Sequence, residues 1–163
     1  MIGVNANTII IDKGMKKALA SLSNSNNCYV KVGYPRSKST PHSNTGMDIA
    51  DLAILMEHGQ ERTKDQYAIP PRPFMKQTFD RNKPEAKKKM KMAYDLVVKG
   101  ADPLQSLKVV GEWYKGRVED IFLTGDFEPN AKLTIYLKQS SRPLIDTGEL
   151  RQSVKTEYRR GTL

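Results

Sequence analysis

β-branched residues crowd positions 8–12 (T-I-I-I-D), a short run that predicts a strand. The period then changes. Met15, Ala18, Leu19 and Leu22 recur at helical spacing and predict a short amphipathic helix over 13–23, ended by the polar cluster S-N-S-N-N. Residues 29–35 (Y-V-K-V-G-Y-P) alternate and stop at Pro35, predicting a second strand. Residues 36–46 are polar and read as a flexible loop, of a length that is usually functional or disordered. Over 48–58 the helical period returns. Ile49, Leu52, Ala53 and Met56 form one apolar stripe, and Asp48 is placed to cap it. Met47 and Leu52 have hydrophobic-staple spacing, and Gly59 is placed to end the helix.

Pro70, Pro71 and Pro73 then exclude a central strand and force extended backbone, so Y-A-I-P-P-R-P-F predicts a stiff strap. Its last proline is placed to open a helix over 73–99, which Pro84 kinks or restarts and Gly100 ends. In that helix Ala86, Met90, Ala93, Tyr94 and Val97 share one stripe. Asp102-Pro103 is an N-cap followed by proline at the first helical position. It opens a helix over 103–123 with Leu104, Leu107, Val110, Tyr114, Val118 and Ile121 on its apolar side. A-K-L-T-I-Y-L-K fits a short helix or a strand. Residues 153–159 alternate and predict a C-terminal strand able to pair with the strand at 29–35. The sum is an α+β fold: a small antiparallel sheet packed by several amphipathic helices, in a single domain spanning residues 1–163.

At 163 residues the chain can bury a real core. It holds no apolar run near the ~18 residues of a membrane span, and its first residues lack the pattern of a signal peptide. Cys28 is the single cysteine, so no internal disulfide forms and a reducing cytosol during synthesis fits. The net charge of +9 raises a polyanionic partner as one possibility and a solvated basic surface as the other, since Lys and Arg are spread along the chain.

Little here suggests catalysis. Phosphate-binding glycine loops, dinucleotide fingerprints and nucleophile elbows are missing from the sequence. His42 lies in a polar loop and His58 at a helix end; a metal site with Asp48 or Asp51 competes with a surface histidine at a helix C-terminus. Asp146 and Glu149, in I-D-T-G-E-L, have capping-box spacing, with staple spacing between Ile145 and Leu150. Two carboxylates in a first helical turn also suit the helix dipole, so a helix start accounts for them without acid/base chemistry. Lys87, Lys88 and Lys91 share one helix face and could touch DNA phosphates or an acidic partner, or could simply be solvated. No cofactor or metal is expected.

Three stretches in order carry a resemblance. They are D-I-A-D-L-A-I-L-M-E-H-G-Q (48–60), I-P-P-R-P-F-M (69–75) and P-L-I-D-T-G-E-L-R-Q-S-V (143–154), the last preceded by P-N-A-K-L-T-I-Y-L-K-Q-S-S-R. The set resembles the tail-completion and minor-tail (virion morphogenesis) proteins of tailed bacteriophages. The pattern there is a helix ending in E-x-G, then I-P-x-R-P-F, a T-I-x-x-K segment and P-L-x-D-T-G-x-L-x-x-S. The likeness covers most of the chain from about Tyr29 onward; the 36–46 loop and Q-E-R-T-K-D-Q (60–66) differ in detail.

The resemblance implies a non-enzymatic structural subunit of the virion neck or upper tail, present in the host cytoplasm during assembly. It would finish the head-proximal end of the tail and help join tail to head, within a ring. Its partners would be copies of itself, tail terminator or tail tube proteins, head–tail connector proteins and, weakly and without sequence preference, genomic DNA. A membrane is not among them. On this reading Pro71, Arg72 and Phe74 of the strap, with Asp146, Glu149 and Arg151 of the last corner, are the candidate interface residues. Phe74 has a second reading, as a plug in its own core. The alternative function is a basic nucleic-acid-binding or metal-dependent nuclease-like protein built on Asp48, Asp51, Glu57 and His58.

Overall fold

The computed structural model of the chain describes residues 14–25, 28–64, 68–138, 141–145 and 147–160. The strand expected at 8–12 and the candidate Asp146 lie outside them. The described elements are α1 (Met15–Ser25), β1 (Cys28–Gly33), a 3₁₀ turn (Arg36–Lys38), α2 (Ile49–His58), α3 (Phe74–Val98), α4 (Pro103–Thr124), α5 (Lys132–Lys138), α6 (Glu149–Gln152) and β2 (Lys155–Arg160). The fold is α+β, and A-K-L-T-I-Y-L-K resolves as the helix α5. No helix among the described residues is long and apolar enough to cross a membrane.

The helix ends follow the local chemistry. The Asp48 side chain accepts from Ala50 N at 2.9 Å and opens α2. The Asp102 side chain accepts from Gln105 N at 2.9 Å, with Pro103 in the first turn, and opens α4. Gly100, at φ 89°, closes α3: its N–H reaches Val97 O, and Ala101 N–H reaches Leu96 O. This is the paired bonding of a Schellman stop, which needs the left-handed backbone glycine adopts. α3 runs through Pro84 without ending. Pro84 is exposed, so the carbonyl deprived of its partner can turn to water.

α3 and α4 pack side by side, and α4 also carries the sheet. β1 and β2 pair antiparallel, with Val30 opposite Tyr158 and Val32 opposite Thr156. The approach is close because of Gly111. A Cβ there would stand 2.5 Å from Val30 Cγ2 and 2.9 Å from Thr156 Cγ2. The main core collects Ile49 and Ala53 of α2, Phe74 of α3, Val118, Ile121 and Phe122 of α4, then Leu144, Leu150 and Val154. Phe74 lies against Phe122, ring centroids 5.0 Å apart, and meets Tyr34 edge-on at 6.0 Å. The Tyr34 hydroxyl donates to Leu150 O at 2.9 Å.

Two stripes differ from expectation. In α3 Ala93 and Val97 are buried but Met90 and Tyr94 are exposed; in α1 Met15 and Leu19 are exposed. Periodicity identifies positions that share a face, not whether anything covers it.

The Gly111 crossing gives a direct test. Gly111→Ala forces the added methyl into Val30 and Thr156, so the sheet must lift from α4. Thermal and urea unfolding should show a loss of about 1–3 kcal/mol, typical of overpacking; an unchanged midpoint would mean that helix and sheet are not in contact here.

Candidate functional site

α2 ends in E-H-G, and Glu57 and Gly59 of that ending have structural tasks. Gly59 stands at φ 73° where the proline strap crosses the helix end. A Cβ at that position would lie 2.6 Å from Ile69 O and 2.7 Å from Pro71 N, so only glycine admits the strap. Gln60 and Ile69 exchange both backbone hydrogen bonds at 2.8 Å, and Arg72 N donates to Met56 O at 2.7 Å. Glu57 then bridges to the next helix. One carboxylate oxygen accepts from Met75 N at 2.9 Å and the other from Lys76 N at 3.0 Å. α3 has no side-chain cap of its own at Pro73, and Glu57 supplies the missing acceptor together with a negative charge at the positive end of the dipole. Sequence spacing missed this because the partners are some 18 residues apart.

Arg72 and Phe74 turn inward, which corrects the expectation that the strap presents them to a neighbour; for Phe74 the second reading, a plug in its own core, is the one observed. Phe74 is fully buried and Arg72 is 7% exposed. The guanidinium donates from Nε to Glu128 O at 3.0 Å, and from Nη2 to Asn130 Oδ1 at 3.2 Å and Pro129 O at 3.4 Å. Asn130 Nδ2 donates in turn to Arg142 O at 3.1 Å. Burial pushes the Arg72 pKa down, and the Glu128 carboxylate opposes this. A buried cation ringed by carbonyls is a device for fixing the path of the 128–130 loop. Of the other candidates, Pro71 is exposed and Arg151 half-buried.

The last corner also departs from the capping box. The residue preceding α6 is Gly148, left-handed at φ 82°, and no side chain caps the helix. Leu144, buried, has φ 62°, an uncommon conformation for a residue with a branched side chain. Glu149 is drawn instead to the 36–46 segment, accepting from Ser43 N at 3.0 Å, with His42 Nε2 at 4.0 Å. That segment, expected as a flexible loop, carries its own bonds: His42 N to Met47 O, Gly46 N to His42 O, Ile49 N to Thr40 O and Thr45 Oγ1 against His42 Nδ1. His42 is buried at 5% exposure, because Glu149 and Thr45 give its ring polar neighbours on both sides.

These pieces line an open pocket of about 530 Å³. Leu52 and Met56 of α2, Ile69 of the strap, and Leu144 and Leu150 of the corner give it an apolar lining; His42, Arg72 and Asn130 supply buried polar groups. The three stretches singled out in the sequence therefore close on one space. Among the described residues no three His, Cys, Asp or Glu side chains gather as a metal site. Asp48 caps α2 and also meets Ser39, Asp51 pairs with Arg36, and Glu57 caps α3. His58 is exposed, and Cys28 Sγ contacts Asn24 O at 3.3 Å. Lys87, Lys88 and Lys91 are exposed on α3, with Lys91 3.1 Å from Asp95.

No family model, no curated protein and no solved structure matches this chain.

The Glu149 contact predicts a pH dependence. Hydrogen bonds from the Ser43 hydroxyl and amide, and then the nearby His42, hold the Glu149 carboxyl below the usual carboxylate range. A carboxylate with a lowered folded-state pKa stabilises the fold above its unfolded pKa, and that stabilisation is lost as pH falls through the folded one. Glu149→Gln should melt below the wild type at about pH 7, and the two melting curves should converge near pH 3. Parallel curves across that range would remove the contact.

Proposed function

We propose that this chain is a structural subunit of a tailed-phage virion, placed at the head-proximal end of the tail, where it completes the tail and helps join it to the head within a ring. The observation that carries this reading is the convergence on one pocket of the helix that ends in E-H-G, through Leu52 and Met56, with the I-P-P-R-P-F strap and the P-L-I-D-T-G-E-L corner. The stretch at 143–154 is far along the chain from those at 48–60 and 69–75, yet it lines the same pocket. Their residues are occupied by architecture: a glycine crossing, a carboxylate cap, a buried guanidinium and a ring at the centre of the core. That is what a subunit needs whose work is to hold a shape between neighbours.

On this reading the subunit meets copies of itself, the tail tube or its terminator below and the connector above, and it is assembled in the host cytoplasm before joining the virion. The net charge of +9 would favour acidic neighbours and weak, salt-sensitive contact with passing DNA.

The test is electron microscopy of lysates from a phage carrying a stop codon in this gene. Filled heads beside separate, full-length tails are expected, and restored particles when the protein is supplied in trans. Normally joined particles in its absence would overturn the reading.

A further inference from the structure

The pocket between α2, the strap and the last corner contains a cation whose bonding is incomplete. His42, Arg72 and Asn130 are the buried polar side chains of its lining. His42 turns Nδ1 to Thr45 Oγ1 at 3.2 Å and Nε2 toward Glu149. Asn130 accepts from Arg72 at Oδ1 and donates from Nδ2 to Arg142 O. Arg72 directs Nε to Glu128 O and Nη2 to Pro129 O and Asn130 Oδ1. That leaves Nη1, which carries a pair of N–H groups and bonds to nothing among the described residues. Nη1 is not sealed in either. Among the described residues Thr156 Oγ1 is the only side-chain atom that is both enclosed and without a partner. The space on which Nη1 opens is the pocket that Arg72 lines.

The charge of Arg72 is as incomplete as its bonding. Among the described residues no carboxylate comes within ion-pair distance of it. The oxygens it holds are two backbone carbonyls and a side-chain amide, all neutral. Glu128 is exposed and acts on the guanidinium only through space, and Glu149 is bonded to Ser43 N. An anion set against the open side of a buried cation forms a charge-assisted hydrogen bond, stronger there than at a wet surface.

The rest of the wall favours hydrocarbon: Leu52, Met56, Ile69, Leu144 and Leu150. The carbonyls of 128 and 129 and the Asn130 amide are already committed, so the pocket has little to offer the repeated amides of a peptide. Its chemistry suits an apolar body with a single acidic head. Its volume of about 530 Å³ lies within the ~300–1,000 Å³ of small-ligand sites.

We propose that this pocket binds a small apolar carboxylate, its head group end-on against Arg72 Nη1 and its hydrocarbon body along Leu52, Met56 and Leu150. This goes beyond the virion reading and does not depend on it.

The experiment is calorimetric titration of the full chain with octanoate and with 1-octanol, which has the same body and no charge. Octanoate should bind once per chain, in the millimolar range or tighter, and should raise the melting temperature as its concentration rises. 1-Octanol should bind at least ~tenfold more weakly, the effect of losing a hydrogen bond between charged groups. Arg72→Lys removes Nη1 and supplies an ammonium that the 128–130 oxygens can saturate, so octanoate should weaken by a similar factor. Ala131→Trp, at an exposed position of the lining, should fill the pocket and abolish binding while the ligand-free protein melts close to the wild type. If Arg72→Lys melts early, the Ala131→Trp comparison carries the test. No octanoate binding, equal binding of 1-octanol, or a folded Arg72→Lys protein of unchanged affinity would each overturn the proposal. So would unchanged octanoate binding to Ala131→Trp, which would mark adsorption to the basic surface.

Discussion

Burial of the Phe74 ring is the contact on which the other parts depend. Phe74 is the first residue of α3 and the last of the strap, so its position sets both where the long helix begins and where the prolines must run. It touches α4 through Phe122 and the segment after β1 through Tyr34, whose hydroxyl reaches the last corner at Leu150. Deleting a buried ring of this size typically costs about 3–5 kcal/mol, a large share of the stability of an ordinary domain. The polar contacts around it act as guides. Glu57 fixes the rotation of α3, Gly59 fixes the height of the strap, and Arg72 fixes the loop that closes the far side of the cavity.

Regular structure was legible in the sequence because its causes are local. Asp48, Asp102 and Pro103 mark helix starts, and Gly59 and Gly100 mark stops, through bonds spanning a few residues. The alternation at 29–35 and 153–159 sufficed to propose the antiparallel pair that β1 and β2 form. What was not legible depends on partners distant in sequence. Glu57 could be read as metal-binding or acidic because nothing nearby shows that the first amides of α3 will arrive beneath it. Arg72 could be read as an exposed anchor because I-P-P-R-P-F fixes the backbone of the strap and leaves open which way its side chains point. At I-D-T-G-E-L two local solutions competed. A left-handed Gly148 replaced the capping box and released Glu149 for the 42–45 segment.

The candidate site was legible only as a set. Taken singly, E-H-G, I-P-P-R-P-F and D-T-G-E-L are a helix end, a proline strap and a helix start, and each is common. Their order carried the information, and the meeting of the strap and the last corner with Leu52 and Met56 of α2 around one pocket gives that order a physical cause. A strap that cannot bend, a crossing that admits only glycine and a buried cation bonded to backbone carbonyls each limit what the others can do. Such a joint has little conformational freedom left to lose.

The joint and the exposed apolar residues of α3 lie in different parts of the fold. The joint is built at the start of α3, where Phe74 and Glu57 hold it, while Met92, Leu96 and Tyr94 sit in the last turns of the same helix. Twenty residues of helix separate Phe74 from Tyr94, which at 1.5 Å per residue is about 30 Å. Sites that far apart with no shared partners contribute nearly independently to stability. A fold arranged in this way could change that exposed helix face without loosening its core.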